Sequence, residues 1–240
     1  QENNVEFQEA LLRKIPMVSY PEMLGEIFNG KIGIAVCGTH GKTTTTAMLA
    51  EILRFSGNNP SAVVGGEVIN WESNSLTGEG NYFVIEADEY QNKLNYYNPF
   101  AVVLTSVDWD HPDYFPTFEK YQKVFSDFVA RIPRHGFLIV WGDSNNTLEI
   151  AKNAKCEVIK YGLREDNDVI ISNLSSFMVS SQILNSKSLT MNKLQSFDVT
   201  YAAKNLGNFQ IQLVGKHNVL NSAAAIAVCQ KLKIDIKKIK

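Results

Sequence analysis

The sequence predicts an α/β protein: a mostly parallel sheet with helices on both faces, plus a small antiparallel β patch. Three observations predict it. From residue 31 to residue 161, short apolar runs alternate with segments of helical periodicity. Several of those runs end in glycine or in acidic clusters, as strands do where they feed a sheet edge. After Gly162, apolar runs follow one another with only polar turns between them.

The elements follow in order. A helix is expected over 5–12, a short strand over 16–19, and a second helix near 22–28. One strand cannot build a sheet alone, so residues 1–29 read as the tail of another unit. Asn29-Gly30 marks the break, and the main unit is expected over 30–232. The run 31–37 is its first strand. Met48/Ile52 and Leu49/Leu53 repeat at helical spacing over 43–55, and Ser56-Gly57-Asn58-Asn59-Pro60 ends that helix. Strands are expected at 62–64, 82–85 and 101–105. Phe118, Tyr121, Phe125, Phe128 and Ile132 line one helical face. Strands at 137–141 and 157–161 flank a helix near 147–153. The antiparallel patch is expected from 169–173, 177–183, 196–201 and 209–214. A last helix covers 219–232, and 233–240 reads as the start of a linker with a solvated lysine cluster.

Composition narrows the function. The chain has 240 residues, 45% hydrophobic and 20% charged, as a globular protein of ordinary surface does. A net charge of −2 gives no field to draw nucleic acid or an anionic membrane. Cys37, Cys156 and Cys229 are too scattered for a metal pair or a disulfide framework, which points to a reducing, cytoplasmic compartment. No stretch reaches the ~20 apolar residues of a membrane span.

Three polar clusters follow expected strands. Gly38-Thr39-His40-Gly41-Lys42-Thr43-Thr44 joins a strand to a helix, the context of a phosphate (P-loop type) turn. Its glycines let backbone N–H groups approach phosphate oxygens, and the helix N-terminus adds partial positive charge. Lys42 suits the terminal phosphates and the Thr43 hydroxyl suits Mg2+. The spacing departs from G-x-x-x-x-G-K-[ST], because Val36 stands where the first glycine would be. The second cluster is Glu86-Ala87-Asp88-Glu89 and the third runs from Asp108 to Asp113 through His111. Strand ends of an open α/β sheet share one crevice, where carboxylates can hold a hard cation.

These motifs, with Gly215-Lys216-His217-Asn218-Val219-Leu220-Asn221-Ser222, resemble the ordered signatures of the Mur ligases from about residue 33 to residue 232. The resemblance implies ATP-dependent amide ligation through an acyl phosphate. The branch it is most similar to joins an amino acid, L-alanine, to UDP-N-acetylmuramate for peptidoglycan precursors. It implies that Gly38, Thr39, His40, Gly41, Lys42, Thr43 and Thr44 bind ATP. Asn218 and Asn221 would hydrogen-bond the adenine, with helix capping the alternative for Asn218. Thr43 and Glu86 would hold one Mg2+, and His111 a second near the acceptor carboxylate. Lys42 and His111 would be catalytic, and Gly65-Gly66 would face the sugar. It further implies a preceding UDP-binding domain and a following amino-acid domain, so that this stretch binds ATP without ligating alone. Tyr90-Gln91-Asn92-Lys93-Leu94 departs from the branch pattern and leaves the acceptor open. The rivals are a murein peptide ligase, a folylpolyglutamate synthase-like ligase and a nucleotide-binding module without ligase activity. The presence of Lys42, Thr43, Glu86 and His111 together argues against the last.

Overall fold

The computed structural model describes residues 3–182 and 189–240. Two short helices come first, α1 (Val5–Leu12) and α2 (Tyr20–Asn29). Then come β1 (Ile32–Cys37), α3 (Lys42–Phe55), β2 (Ser61–Val68), β3 (Ser73–Leu76), β4 (Tyr82–Glu86) and β5 (Ala101–Leu104). They are followed by α4 (Phe118–Val129), β6 (Phe137–Trp141), α5 (Asn145–Ala151) and β7 (Glu157–Gly162). The chain finishes with β8 (Val169–Gln182), β9 (Leu189–Tyr201), β10 (Lys204–Ile211), α6 (Lys216–Lys231) and α7 (Ile236–Ile239).

All described strands share one sheet, in the order β10-β9-β8-β7-β6-β5-β1-β4-β2-β3. Neighbours from β2 to β8 pair in parallel, whereas β2–β3, β8–β9 and β9–β10 are antiparallel. The expected fold class holds, with the antiparallel strands extending the parallel sheet instead of forming a separate patch.

Strand β1 shows why helices cover both faces. Successive strand side chains point to opposite sides. Ile34 and Val36 pack with Leu49 and Leu53 of α3 and with Val219, Ala223 and Ala227 of α6. Ala35 and Cys37 pack on the other face with Phe28 of α2, Tyr121 and Phe125 of α4, and Ile150 of α5. A strand buried on both faces reads as a continuous apolar run, as 32–37 does.

Several boundaries differ from expectation. Residues 16–19 form no strand; they are exposed, and Ser19 instead caps α2 in a capping box with Glu22. No neighbouring strand bonds them, and Ser19 turns its N–H to Glu22 and its carbonyl to the Met23 N–H instead. Helix α2 packs into the sheet through Leu24 and Phe28, whereas α1 buries nothing. The runs at 169–173 and 177–183 merge into β8 across an irregularity between Ser172 and Ser175. Ile183, the end of the second run, lies outside the described residues. Strand β3 and the 3-10 turn Tyr90–Tyr96 carry no apolar periodicity and were not expected. At 233–240, where a linker start was expected, α7 folds back and buries Ile239.

Candidate active site

The loop between β1 and α3 is only four residues long, Gly38 to Gly41. Val36 lies inside β1 with its side chain fully buried, so the turn begins two residues later than the longer glycine spacing requires. Gly38 has φ +126°, and a Cβ there would lie 2.5 Å from Thr105 Oγ1 and 2.6 Å from the Ser106 carbonyl oxygen. Gly41 has φ +80°, and a Cβ there would lie 2.4 Å from Asn221 Oδ1. Both conformations favour glycine, and both positions are closely packed. The strap after β5 fixes the loop. Thr105 Oγ1 donates to the His40 carbonyl at 2.6 Å, and the His40 N–H donates to Ser106 Oγ at 3.0 Å. No side chain caps α3, which leaves its first-turn N–H groups for a ligand.

Lys42 opens α3. Its ammonium donates to the Gly38 carbonyl at 2.6 Å and lies 3.3 Å from Glu89 Oε2. The next side chain, Thr43, donates to Glu86 Oε1 at 3.0 Å, while Gly65 N–H donates to Glu86 Oε2 at 2.6 Å. The three strand-end clusters therefore meet as expected. Asp88, Glu89 and His111 bring one ligand atom each within 4.8 Å of one another. His111 has φ +53°, an uncommon conformation for a non-glycine residue, and its ring packs 4.8 Å from that of Tyr90.

The other expected residues are arranged around the loop. The Thr39 hydroxyl turns inward. It donates to the Asp108 carbonyl at 2.9 Å, accepts the Asp108 N–H at 2.9 Å and lies 2.9 Å from the Tyr121 hydroxyl. Asn221 lines a cavity of about 370 Å³ beside the loop, with His40, Gly41, Trp141, Tyr161 and His217. Asn218 is set back from that wall and donates to the Val214 carbonyl at 2.8 Å. Nor is Asn218 the helix cap, since Gly215 holds that position. His40 stands at the cavity rim, 3.9 Å from Asp108. Thr44 lies on the first turn of α3. A second cavity, about 260 Å³, is lined by Lys42, Gly65, Glu86, Asp88 and Lys93 and by residues 20, 21 and 24 of α2.

Sequence reading singled out Glu86 but gave no role to Glu89, which is fully buried, or to Asp88. The Tyr121 hydroxyl donates to Glu89 Oε1 at 2.9 Å. The sequence places Tyr121 on an apolar helix face. A tyrosine among phenylalanines is the available signal, because a buried hydroxyl needs a partner. Burial, and then the Glu89 carboxylate, push its ionisation far above the usual range, so it stays a donor.

The donor set fits a nucleotide with a hard cation. It offers carboxylate and hydroxyl oxygens, one imidazole, a lysine and an uncapped helix start at one crevice. Among the described residues no helix is long and apolar enough to cross a membrane.

Known proteins share this arrangement of chain. The Mur ligase middle domain family matches residues 36–229. The chain is 35% identical over 238 residues to the UDP-N-acetylmuramate–L-alanine ligase of Desulfitobacterium hafniense (strain Y51), covering 99% of this chain and 49% of that protein. It is 35% identical over 239 residues to the ligase of the same name from Aquifex aeolicus (strain VF5), with 99% and 49% covered. It thus spans about half the length of the curated relatives it matches. One similar solved structure is the UDP-N-acetylmuramate:L-alanyl-gamma-D-glutamyl-meso-diaminopimelate ligase from Neisseria meningitides. Its TM-score is 0.80 at 26% identity, covering 100% of this chain and 74% of that one. The UDP-N-acetylmuramate–alanine ligase of Thermotoga maritima shares the fold, with a TM-score of 0.80 at 21% identity over 100% of this chain and 51% of that one. With the phosphate loop, the acidic strand end and the β5 strap joined at one edge, and a family match over most of its length, the chain belongs to the Mur ligases.

Proposed function

We propose that this chain is the ATP-binding unit of a ligase that joins an amino acid, L-alanine, to UDP-N-acetylmuramate in peptidoglycan precursor synthesis in the cytoplasm. The observation that carries the reading is the meeting of Lys42, Thr43–Glu86 and the Asp88–Glu89–His111 group at the ends of three adjacent parallel strands. In this reading the unit expected at 30–232 also takes in α2 and α7, which pack on its core, with the residues before it leading in from a UDP-binding domain and those after it leading on toward an amino-acid domain.

The reaction must bring a carboxylate up to a triphosphate, two anions that repel. In this reading the adenine sits in the cavity lined by Trp141, Tyr161 and Asn221, the first two being paired residues near the ends of β6 and β7. The triphosphate then runs along Gly38–Gly41 to the first turn of α3. Lys42 exchanges the Gly38 carbonyl and Glu89 for the terminal phosphate oxygens. Thr43, Glu86, Asp88, Glu89 and His111 would hold Mg2+, which when bound neutralises charge on the phosphates and the acceptor. The acceptor carboxylate approaches from the second cavity, which Lys42 lines together with Gly65 and Lys93. A carboxylate oxygen attacks the γ-phosphorus as the bond to ADP breaks, and the amine then adds to the acyl carbon, loses a proton and expels phosphate.

The similarity to a ligase whose name specifies a peptide substrate supports a second reading, in which a preformed peptide replaces the single amino acid. Both are tested with the polypeptide that carries this chain, by ATP-dependent ligation of UDP-N-acetylmuramate with L-alanine, glycine, L-serine or a tripeptide. Product with L-alanine alone supports the first reading. Product with the tripeptide alone replaces it with the second, and no ATP-dependent product with any donor sinks both.

A further inference from the structure

We infer that Tyr121 is a positioning residue for the terminal-phosphate end of the site and that it acts through Glu89. The inference rests on the ATP reading above. Glu89 is fully buried, and a buried carboxylate is costly unless each oxygen is paired. Its two oxygens are served from different elements, Oε2 by Lys42 of α3 at 3.3 Å and Oε1 by Tyr121 of α4 at 2.9 Å.

Proton counting gives this network a direction. A phenol has one proton, and here it goes to Glu89. The Tyr121 oxygen is then left to accept from Thr39, 2.9 Å away. Thr39 accepts the Asp108 N–H and has one proton of its own, with the Asp108 carbonyl and the Tyr121 oxygen both 2.9 Å away. Hydrogen-bonding contacts therefore link Asp108 through Thr39 and Tyr121 to Glu89, and the last of them has a fixed donor. The chain ties the loop after β5, the phosphate loop and the acidic end of β4 to a rigid helix. A site held by a helix is more precise than one held by loops alone.

Without the phenol hydroxyl, Oε1 has no protein donor among the described residues. The carboxylate can then turn away from Lys42 and from its neighbours Asp88 and His111. Tyr121 itself touches neither nucleotide nor metal in this reading, so its effect passes through its two partners, Glu89 and Thr39, and the Glu89→Gln background separates them.

The test is a titration of the whole chain with the non-hydrolysable ATP analogue AMP-PNP, with and without Mg2+, for wild type, Tyr121→Phe, Glu89→Gln and the double variant. Tyr121→Phe is expected to weaken Mg2+-dependent binding roughly tenfold, the scale of one buried charged acceptor losing a donor. Binding without Mg2+ should change far less. In the Glu89→Gln background the same substitution should add no further loss. Stoichiometry counts the folded fraction, so partial unfolding lowers the number of sites without changing the affinity. Thr39→Val, which cuts the chain one bond earlier, should give a smaller loss in the same direction and serves if Tyr121→Phe does not fold. If folded wild type binds no AMP-PNP with Mg2+, the ATP reading and this inference both fall. If wild type binds and Tyr121→Phe matches it, or its loss persists undiminished beside Glu89→Gln, the ATP reading stands and the role of Tyr121 is overturned. An unchanged Thr39→Val, where that variant stands in, has the same meaning.

Discussion

The parallel part of the sheet and its antiparallel end are built from similar strands but organise chemistry differently. Strands β1, β4 and β5 are neighbours running the same way, so the loops that leave them leave from one edge. Lys42 and Glu89 meet there although 47 residues separate them. Strands β8, β9 and β10 reverse direction at each turn, so their connections fall on alternate edges. The one metal-suited His/Asp/Glu group found among the described residues belongs to the parallel part. Parallel winding costs long crossovers, but it delivers consecutive loops to one crevice.

Substitutions can break this contrast, and the largest effect is expected in the parallel core. Phe125→Ala empties a fully buried position of α4 and should cost about 3–5 kcal/mol in denaturant unfolding. A loss below about 1 kcal/mol would mean that the helix face is not packed as described. Gly38→Ala forces a side chain into a positive φ against the Ser106 backbone and should cost about 2 kcal/mol, read from the same titration.

Asp143 tests how the parallel strands are tied near their ends. It accepts bonds from the Leu163 and Arg164 N–H groups and the Asn167 amide. Burial raises its pKa, but those bonds and the Arg164 charge outweigh burial and hold it below the ordinary 3.8. A lowered carboxylate stabilises the fold above its unfolded pKa, and that contribution is lost as pH falls through the folded pKa. Asp143→Ala should therefore cost about 1–2 kcal/mol at neutral pH. The gap from wild type should shrink below roughly pH 4. A gap that stays constant down to pH 2 would contradict the assignment.

The smallest effect is expected in the antiparallel end. There β8 and β9 run on together beyond the reach of β7 and β10, and Phe177 is exposed. Phe177→Ser should change stability by about 0.5 kcal/mol at most. A larger loss would show that this ribbon is buried against something.

Legibility in the sequence follows the same divide. The runs 32–37, 101–104 and 137–141 are buried on both faces, so their hydrophobicity is continuous and easily seen. The strands β8 to β10 carry serines and asparagines on open faces, so their lengths and junctions were not evident. Loop composition placed Lys42, Thr43, Glu86 and His111 correctly at one edge. It could not tell which carboxylate turns inward, because Glu86 and Glu89 differ only in how the chain leaves β4. Nor could it show that Tyr121 reaches back to that carboxylate, since helical periodicity records burial and not the direction of a hydroxyl. Asn218 and Asn221 lie on one helix, yet only Asn221 faces the cavity.

The most direct test of the central claim is pulsed electron paramagnetic resonance of Mn2+ bound to this chain with AMP-PNP. One shared nucleotide–metal crevice requires that the Mn2+ signal show phosphorus coupling from the nucleotide and imidazole nitrogen coupling that disappears in His111→Ala. Phosphorus coupling with no nitrogen coupling, or nitrogen coupling that survives His111→Ala, would show that the third strand-end loop does not share the metal with the nucleotide.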